Sequence, residues 1–437
     1  VRNRTWPAAV VIAGCLLAAG GWLLQQGHQS GGRTPPPTGE GQQSPALPPS
    51  SGGQRLPALP DPGRAGADAL RKQIAGMSLE EKVGQLVISG LDGTAMDDHA
   101  LGLIRDGHIG GFILFKDNIL NADQARKLTD TLKETNRSFG GIPLFLGVDE
   151  EGGRVSRMPD DYVDLPTNQV IGQADKPEFS REIGQILARE VGSLGLNLDF
   201  APVLDVNSNP QNPVIGDRSF GADAERVASL GVATMRGIQA GGIVTAVKHF
   251  PGHGDTSVDS HIGLPVVRHP LSRLRRLELI PFTEAVRNQA DIVMVAHILL
   301  PQIDADAPSS LSPKIITDLL REEMGYDGVV ITDDLTMGAI AGRYDPGEAA
   351  VKAVNAGSDL VLVCHDYEKE KAVLDALLDA ARTGKISQAA IDRSVYRILR
   401  LKAKYGLADT PAKAVSTAAL NSDIRQLLDR YMGNGQK

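Results

Sequence analysis

The chain has 437 residues, 42% of them hydrophobic and 22% charged, a balance that can build a large buried core and excludes disorder throughout. Its formal net charge is -8, with basic residues scattered among acidic ones, so it lacks the electrostatic footprint of a nucleic-acid binder. The only two cysteines, Cys15 in an N-terminal apolar stretch and Cys364 at the end of a strand-like run, do not make a disulfide framework.

Arg2 and Arg4 precede an uncharged run from Trp6 to Leu24. At about 1.5 Å per helical residue that run can cross a bilayer, and positive charge before it predicts that the chain continues outside the cell. Residues 1–26 therefore read as a signal or anchor segment. Within it Ile12-Ala13-Gly14-Cys15 resembles a lipobox, which would make Cys15 a lipidation site, whereas Leu16 to Leu24 stays apolar as in an uncleaved anchor. Either way the remainder is expected to be exported and tethered to the outer face of the membrane. Residues 27–66, with PPP, PPSSGG and DPG, hold too few apolar groups to offset the entropy of ordering and read as a flexible stalk.

From 67 to 410, short β-branched runs alternate with helical patterns. The runs are GQLVISG (84–90), GGFILF (110–115), PLFLGVD (143–149), LNLDFAPVLDV (196–206), TAVKHFP (245–251), DIVMVAH (291–297), GVVITDD (328–334) and DLVLVCH (359–365). Helix signatures between them include Ala122–Phe139, Lys176–Gly192, Ala222–Gly241, Ser272–Ala290, Ser312–Met324, Pro346–Ala356 and Tyr367–Thr383. Strands apolar on both faces call for parallel pairing under helical cover, and eight βα units closing on themselves predict an α/β fold, the TIM (β/α)8 barrel. A doubly wound open sheet would want a Gly-rich phosphate loop after the first strand, and SGLDGTA is a poor one. Two further helical patterns, Ile386–Tyr405 and Asn421–Met432, are expected to close the barrel bottom, the second within a C-terminal tail of residues 411–437.

Barrel enzymes carry their chemistry at the carboxyl ends of the strands. Here run three ends at Asp149-Glu150-Glu151-Gly-Gly-Arg154, run four at Asp205, run five at Lys248-His249, run six at His297 and run seven at Asp333-Asp334. One such residue is usually a loop cap; five on one rim mark a site. Successive strand residues face opposite ways, so Asp333 and Asp334 are not a dyad: one projects into the mouth and the other caps the next turn, and parity alone does not choose. The segment KHFPGHGDTSVDSHIGLP (248–265) places His249 and His253 at the i, i+4 spacing of a helical metal site, but Pro251, Gly252 and Gly254 oppose a helix there. A Pro/Gly-rich loop with Asp259 two residues before His261 suggests a mobile element in which a carboxylate orients an imidazole; a structural histidine held by a turn aspartate is the other reading.

Over about Met77 to Leu407 these motifs resemble glycoside hydrolase family 3, specifically the bacterial β-N-acetylglucosaminidases of cell-wall turnover. LLREEMGYDGVVITDDLT (319–336) is similar to the family's active-site signature, in which the aspartate after Ser or Thr is the nucleophile, implying Asp333. KHFPGHGDTSVDSH is similar to the hallmark of the N-acetylglucosaminidase branch, whose Asp-Ser-His end implies Asp259 and His261 as a catalytic pair. VDEEGGRVSR and GDRSFG resemble sugar-binding stretches, implying Asp149, Arg157 and Arg218 as substrate contacts, with Lys248 and His249 as further ones. Glu150 stands where Gln is common in the family.

The resemblance implies retaining cleavage of terminal β-linked GlcNAc, from GlcNAc–MurNAc fragments of peptidoglycan, through a glycosyl-Asp333 ester. His261 would transfer protons with no metal or organic cofactor, and the expected partner is a carbohydrate acted on by a monomer. Three rivals stand beside this reading. One is a metal-dependent barrel hydrolase with His249, His253, His261 and His297 as ligands. Another is a non-catalytic barrel that binds cell wall. The third keeps the same chemistry but uses phosphate instead of water as the acceptor.

Overall fold

The computed structural model describes residues 63–433; the expected anchor with Cys15, and the stalk as far as residue 62, lie outside the described residues. Eight strands close a barrel in sequential order: β1 Val87–Ser89, β2 Gly111–Leu114, β3 Phe145–Val148, β4 Leu198–Asp199, β5 Val244–Phe250, β6 Ile292–Val295, β7 Val329–Asp334 and β8 Leu360–Val363. Every neighbouring pair is parallel, and closure comes from β1 against β8, with Ile88 opposite Leu362. Each strand falls in one of the eight apolar runs, β5 opening one residue ahead of its run.

The strands are apolar on both faces because both faces are covered. Ile88, Ile113, Phe145, Leu198, Val244, Ile292, Val329 and Leu360 fill the barrel interior. Their neighbours Val87, Phe112, Leu146 and Val361 point outward into the layer shared with the helices.

The helix Gln388–Lys404 closes the bottom. Its Ile398 and Leu401 join the interior cluster, and the buried Lys402 ammonium donates to Gln85 Oε1 (2.8 Å) and the Gly110 carbonyl (3.1 Å) at the amino ends of β1 and β2. The last helix, Thr417–Met432, does not share this task. It lies on the side of the barrel, with Tyr431 stacked on Phe179 of the helix Pro177–Ser193 at 4.7 Å and Asn421 bonded to the backbone of Asp161 and Val163. Its apolar stripe Leu420, Ile424 and Leu427 finds the outer core there, which leaves the bottom to its predecessor.

Two boundaries differ from the sequence pattern. The helix Gly63–Gly76 takes in the last residues assigned to the stalk, and the pattern over 272–290 divides into Leu271–Leu274 and Leu279–Arg287, with Arg273 gripping Glu278 across the break. Among the described residues no helix is long and apolar enough to cross a membrane.

Candidate active site at the carboxyl ends of the strands

The carboxyl ends of the strands open into a cavity of about 310 Å³ whose wall includes Asp149, Arg157, Arg218, Lys248, His249, Asp259, His261 and Asp333. The eight positions singled out for catalysis and sugar binding are thus brought to one place, although they come from the ends of four strands, β3, β4, β5 and β7, and the loops that follow them.

The floor is a buried chain of charges. Lys248 Nζ lies 2.6 Å from Asp149 Oδ1 and 2.8 Å from Glu151 Oε1, and Arg218 donates two bonds to Glu151, at 2.8 and 2.7 Å. Burial alone would push the Glu151 carboxyl up, but the charges of Arg218 and Lys248 hold it far below the usual carboxylate range. Burial likewise pulls the Lys248 ammonium down, and Asp149 and Glu151 more than restore it. Glu151, Lys248 and Arg218 therefore stay charged, the one condition under which such burial is tolerable. Lys248 and His249 are consecutive yet both reach the cavity, because the pairing of β5 with β6 is irregular between Val247 and Phe250 and re-aims the side chains.

Asp205 supports the floor from beneath. Its Oδ2 is 2.7 Å from His249 Nδ1, and its Oδ1 accepts from the backbone N–H groups of His253 (2.6 Å) and His249 (3.3 Å). Burial raises this carboxyl, and the neighbouring His249 charge and bonds bring it below its ordinary value. The His249 ring is thereby fixed with Nε2 turned towards Arg218, 3.4 Å away.

At the end of β7 the two aspartates separate. Asp334 accepts from Thr336 N (2.9 Å), Thr336 Oγ1 (2.5 Å) and Cys364 N (3.0 Å), so it stitches the turn to β8 although it touches the cavity wall. Asp333 is the more exposed of the two, and its one side-chain hydrogen bond among the described residues comes from the Asp334 amide, at 2.9 Å. Burial pushes its carboxyl up, but the charges of His297 and His249, the Asp334 amide and Lys248 hold it below the usual range. An ionised, under-committed carboxylate facing a cavity has the properties of a nucleophile.

The loop after β5 carries the imidazole–carboxylate pair. Asp259 Oδ1 accepts from His261 N (2.8 Å) and lies 2.7 Å from His261 Nδ1, leaving Nε2 without a protein partner among the described residues. Burial pushes the Asp259 carboxyl up, and the bonds and charge of His261 together hold it below its ordinary value.

The other histidines are committed elsewhere. His253 Nε2 meets Ser260 Oγ at 3.1 Å and its Nδ1 meets Thr256 Oγ1 at 2.8 Å, while burial and the His249 charge pull it down to about 4. His297 meets Ser310 Oγ with Nδ1 (2.6 Å) and donates from Nε2 to the Asp334 carbonyl (2.8 Å). With the ring nitrogens of His253 and His297 taken, the metal-ligand reading of His249, His253, His261 and His297 finds no support: among the described residues no three His, Cys, Asp or Glu side chains converge as a metal site would need.

The sequence puts Glu151 and Asp205 on the rim without a role; in the structure they position Lys248, Arg218 and His249. Their signal was an acidic residue ending an apolar run, with no way to see which cations would meet it. Glu150 is also buried, its Oε2 accepting from Ser156 Oγ (2.9 Å) and Arg157 N (2.7 Å), and burial pushes its carboxyl up to about 7.

The family model described as the glycosyl hydrolase family 3 N-terminal domain matches residues 78–401. The β-hexosaminidase A of Pseudoalteromonas piscicida is 36% identical over 345 residues, which cover 74% of this chain and 57% of that protein. The β-hexosaminidase of Pseudomonas aeruginosa is 37% identical over 300 residues, covering 67% of this chain and 86% of its own. Among solved structures, a family 3 β-N-acetylglucosaminidase from Paenibacillus sp. is similar with a TM-score of 0.78 at 44% identity, covering 82% of this chain and 69% of that one. The chain thus spans little more than half of the first relative and most of the second.

Proposed function

The chain belongs to glycoside hydrolase family 3, in its β-N-acetylhexosaminidase branch, and from that premise we propose that it is a retaining exo-β-N-acetylglucosaminidase acting on GlcNAc–MurNAc fragments of peptidoglycan. The observation that carries this reading is a single cavity holding an ionised Asp333, a buried charged floor and an Asp259–His261 pair with a free Nε2. Its volume of about 310 Å³ lies at the small end of ligand pockets, as suits one terminal sugar ring rather than a threaded chain.

In the first step Asp333 attacks C1 of the sugar and the C1–O bond to the aglycone breaks, its electron pair leaving with the oxygen. The His261 imidazolium gives that oxygen a proton, and a glycosyl-Asp333 ester forms. In the second step the now neutral His261 takes a proton from water, the water oxygen attacks C1, and Asp333 leaves as carboxylate. His261 is then protonated again. Asp259 fixes the tautomer and stabilises the imidazolium, while Asp149, Lys248, Arg157, Arg218 and His249 bind the ring substituents. The positively flanked apolar segment within residues 1–26 supports an exported, tethered enzyme, which would face its wall-derived substrate.

Trapping with a 5-fluoro-β-N-acetylglucosaminide and mapping the peptide mass tests the reading: the sugar is expected on Asp333, and label on Asp334 or none overturns it. Because the group beside the intermediate is an imidazole rather than a second carboxylate, phosphate is a conceivable acceptor. Turnover in inorganic phosphate is expected to release free GlcNAc, and GlcNAc 1-phosphate as product would replace the hydrolase by a phosphorylase.

A further inference from the structure

The loop that carries Asp259 and His261 is held differently at its base and at its tip. Its base is buried: His253 bonds Thr256 and Ser260, and Asn212 donates to the His253 carbonyl at 2.9 Å. At the tip there is no apolar anchor. Val258 is 42% and Ile262 83% exposed, and the His261 ring itself is largely in water. The tip is secured by two backbone hydrogen bonds, in which Ala339 N donates to the Ser260 carbonyl (3.1 Å) and Gly338 N donates to the His261 carbonyl (3.2 Å).

Those two amides open the short helix Gly338–Ala341, which follows the strand of Asp333. The first N–H groups of a helix have no acceptor within it, so the loop tip supplies what the helix lacks. The contact is possible because residue 338 has no side chain. A Cβ there would meet the His261 carbonyl oxygen at 2.6 Å and the Ile262 carbonyl oxygen at 2.9 Å, both backbone atoms that cannot swing aside. Gly338 is not among the residues with positive φ, so its own conformation does not require glycine, and alanine is the better helix former.

We infer that Gly338 is a positioning residue for proton transfer: it seats the loop tip on the segment that follows the nucleophile strand, so that His261 and Asp333 are set against each other by one continuous stretch of chain. This rests on His261 being the proton-transfer group. A side chain at 338 would lift the tip and displace the imidazole while leaving Asp333 and the charged floor in place.

The test compares Gly338→Ala and His261→Ala with the wild-type protein on two β-N-acetylglucosaminides, one with a 2,4-dinitrophenyl leaving group that needs no protonation and one with an alkyl leaving group that does. For Gly338→Ala the kcat/KM on the alkyl glycoside is expected to fall about 10- to 100-fold, and on the dinitrophenyl glycoside by less than about 3-fold, as a displaced acid group predicts. The ratio of the two does not depend on how much of the preparation is folded, so mere destabilisation cannot imitate it. Equal losses on both substrates, or no loss, overturn the inference.

His261→Ala should show the same discrimination more strongly. If it does and Gly338→Ala does not, the seating role alone fails; if His261→Ala does not discriminate, the proton-transfer reading fails and takes this inference with it. Should Gly338→Ala not fold, hydrogen exchange on the wild-type protein decides: the Gly338 and Ala339 amides are expected to be protected, and exchange at the rate of an unstructured chain overturns the seating contact.

Discussion

The floor of the cavity and the loop above it use the same residue types for opposite ends. In the floor, Glu151, Lys248 and Asp205 are buried and each is bonded to at least two partners. On the loop, Asp259 and His261 form one exposed pair, the imidazole 65% accessible. A group that must keep one charge throughout turnover can be buried if its counter-charges are fixed around it. A group that must gain and lose a proton in each cycle cannot, because burial favours the neutral form. His253, eight residues away on the same loop, shows that outcome: it is buried, pulled down to about 4, and serves as a structural hydrogen-bonding ring.

The largest expected effect belongs to the group that both regions serve. Asp333→Asn should lower kcat by about 10⁵-fold or more, as loss of a nucleophile does, with sugar binding retained in a titration of GlcNAc. A wild-type protein that binds GlcNAc but is as inert as the variant would instead mark a non-catalytic barrel.

The next effect separates the regions directly. Glu151→Gln leaves the Lys248 and Arg218 charges short of an anion inside the barrel, and breaking a buried pair on one side costs about 3–5 kcal/mol, readable as a fall in the urea midpoint. Asp259→Asn removes an exposed pair and should cost less than about 1 kcal/mol, yet lower kcat by about 100-fold through the misoriented imidazole. A large stability loss from Asp259→Asn, or none from Glu151→Gln, would erase the distinction between floor and loop.

The two regions were also unequally legible before the structure. The barrel shows in eight apolar runs because parallel strands covered on both faces must be apolar throughout, and the loop announces itself by clustering Asp259 and His261 within a Pro/Gly-rich stretch. The floor is assembled from residues as far apart as Asp149 and Lys248, so its pairing is a property of strand order and register that no local pattern carries. Parity does not choose between Asp333 and Asp334 because either face of β7 is buried; the bonds from Thr336 and Cys364 that occupy Asp334 depend on the turn and on β8, which no local pattern carries. The pattern Asn421–Met432 does not reveal its place for a related reason: the stripe of the helix Thr417–Met432 signals burial but not against what.

The smallest effect concerns a carboxyl behind the floor. Glu150 is buried with no cation bonded to it among the described residues, and burial pushes it from its ordinary 4.5 up to about 7, so it is unlike both Glu151 beside it and Asp259 on the loop. Between these two pH values the folded chain keeps a proton that the unfolded chain gives up. Glu150's own contribution to stability therefore falls as pH rises from about 4.5 through about 7, by something on the order of 2 kcal/mol, and changes no further above. Gln cannot ionise but keeps an oxygen to accept from Ser156 Oγ and Arg157 N, so Glu150→Gln should match the wild-type stability near pH 4.5 and exceed it by on the order of 2 kcal/mol at pH 8. Urea unfolding at a series of pH values reads the difference. Parallel curves for the two proteins would mean that Glu150 finds charge compensation in solution, and that the depth of burial separating floor from loop does not extend behind the cavity floor.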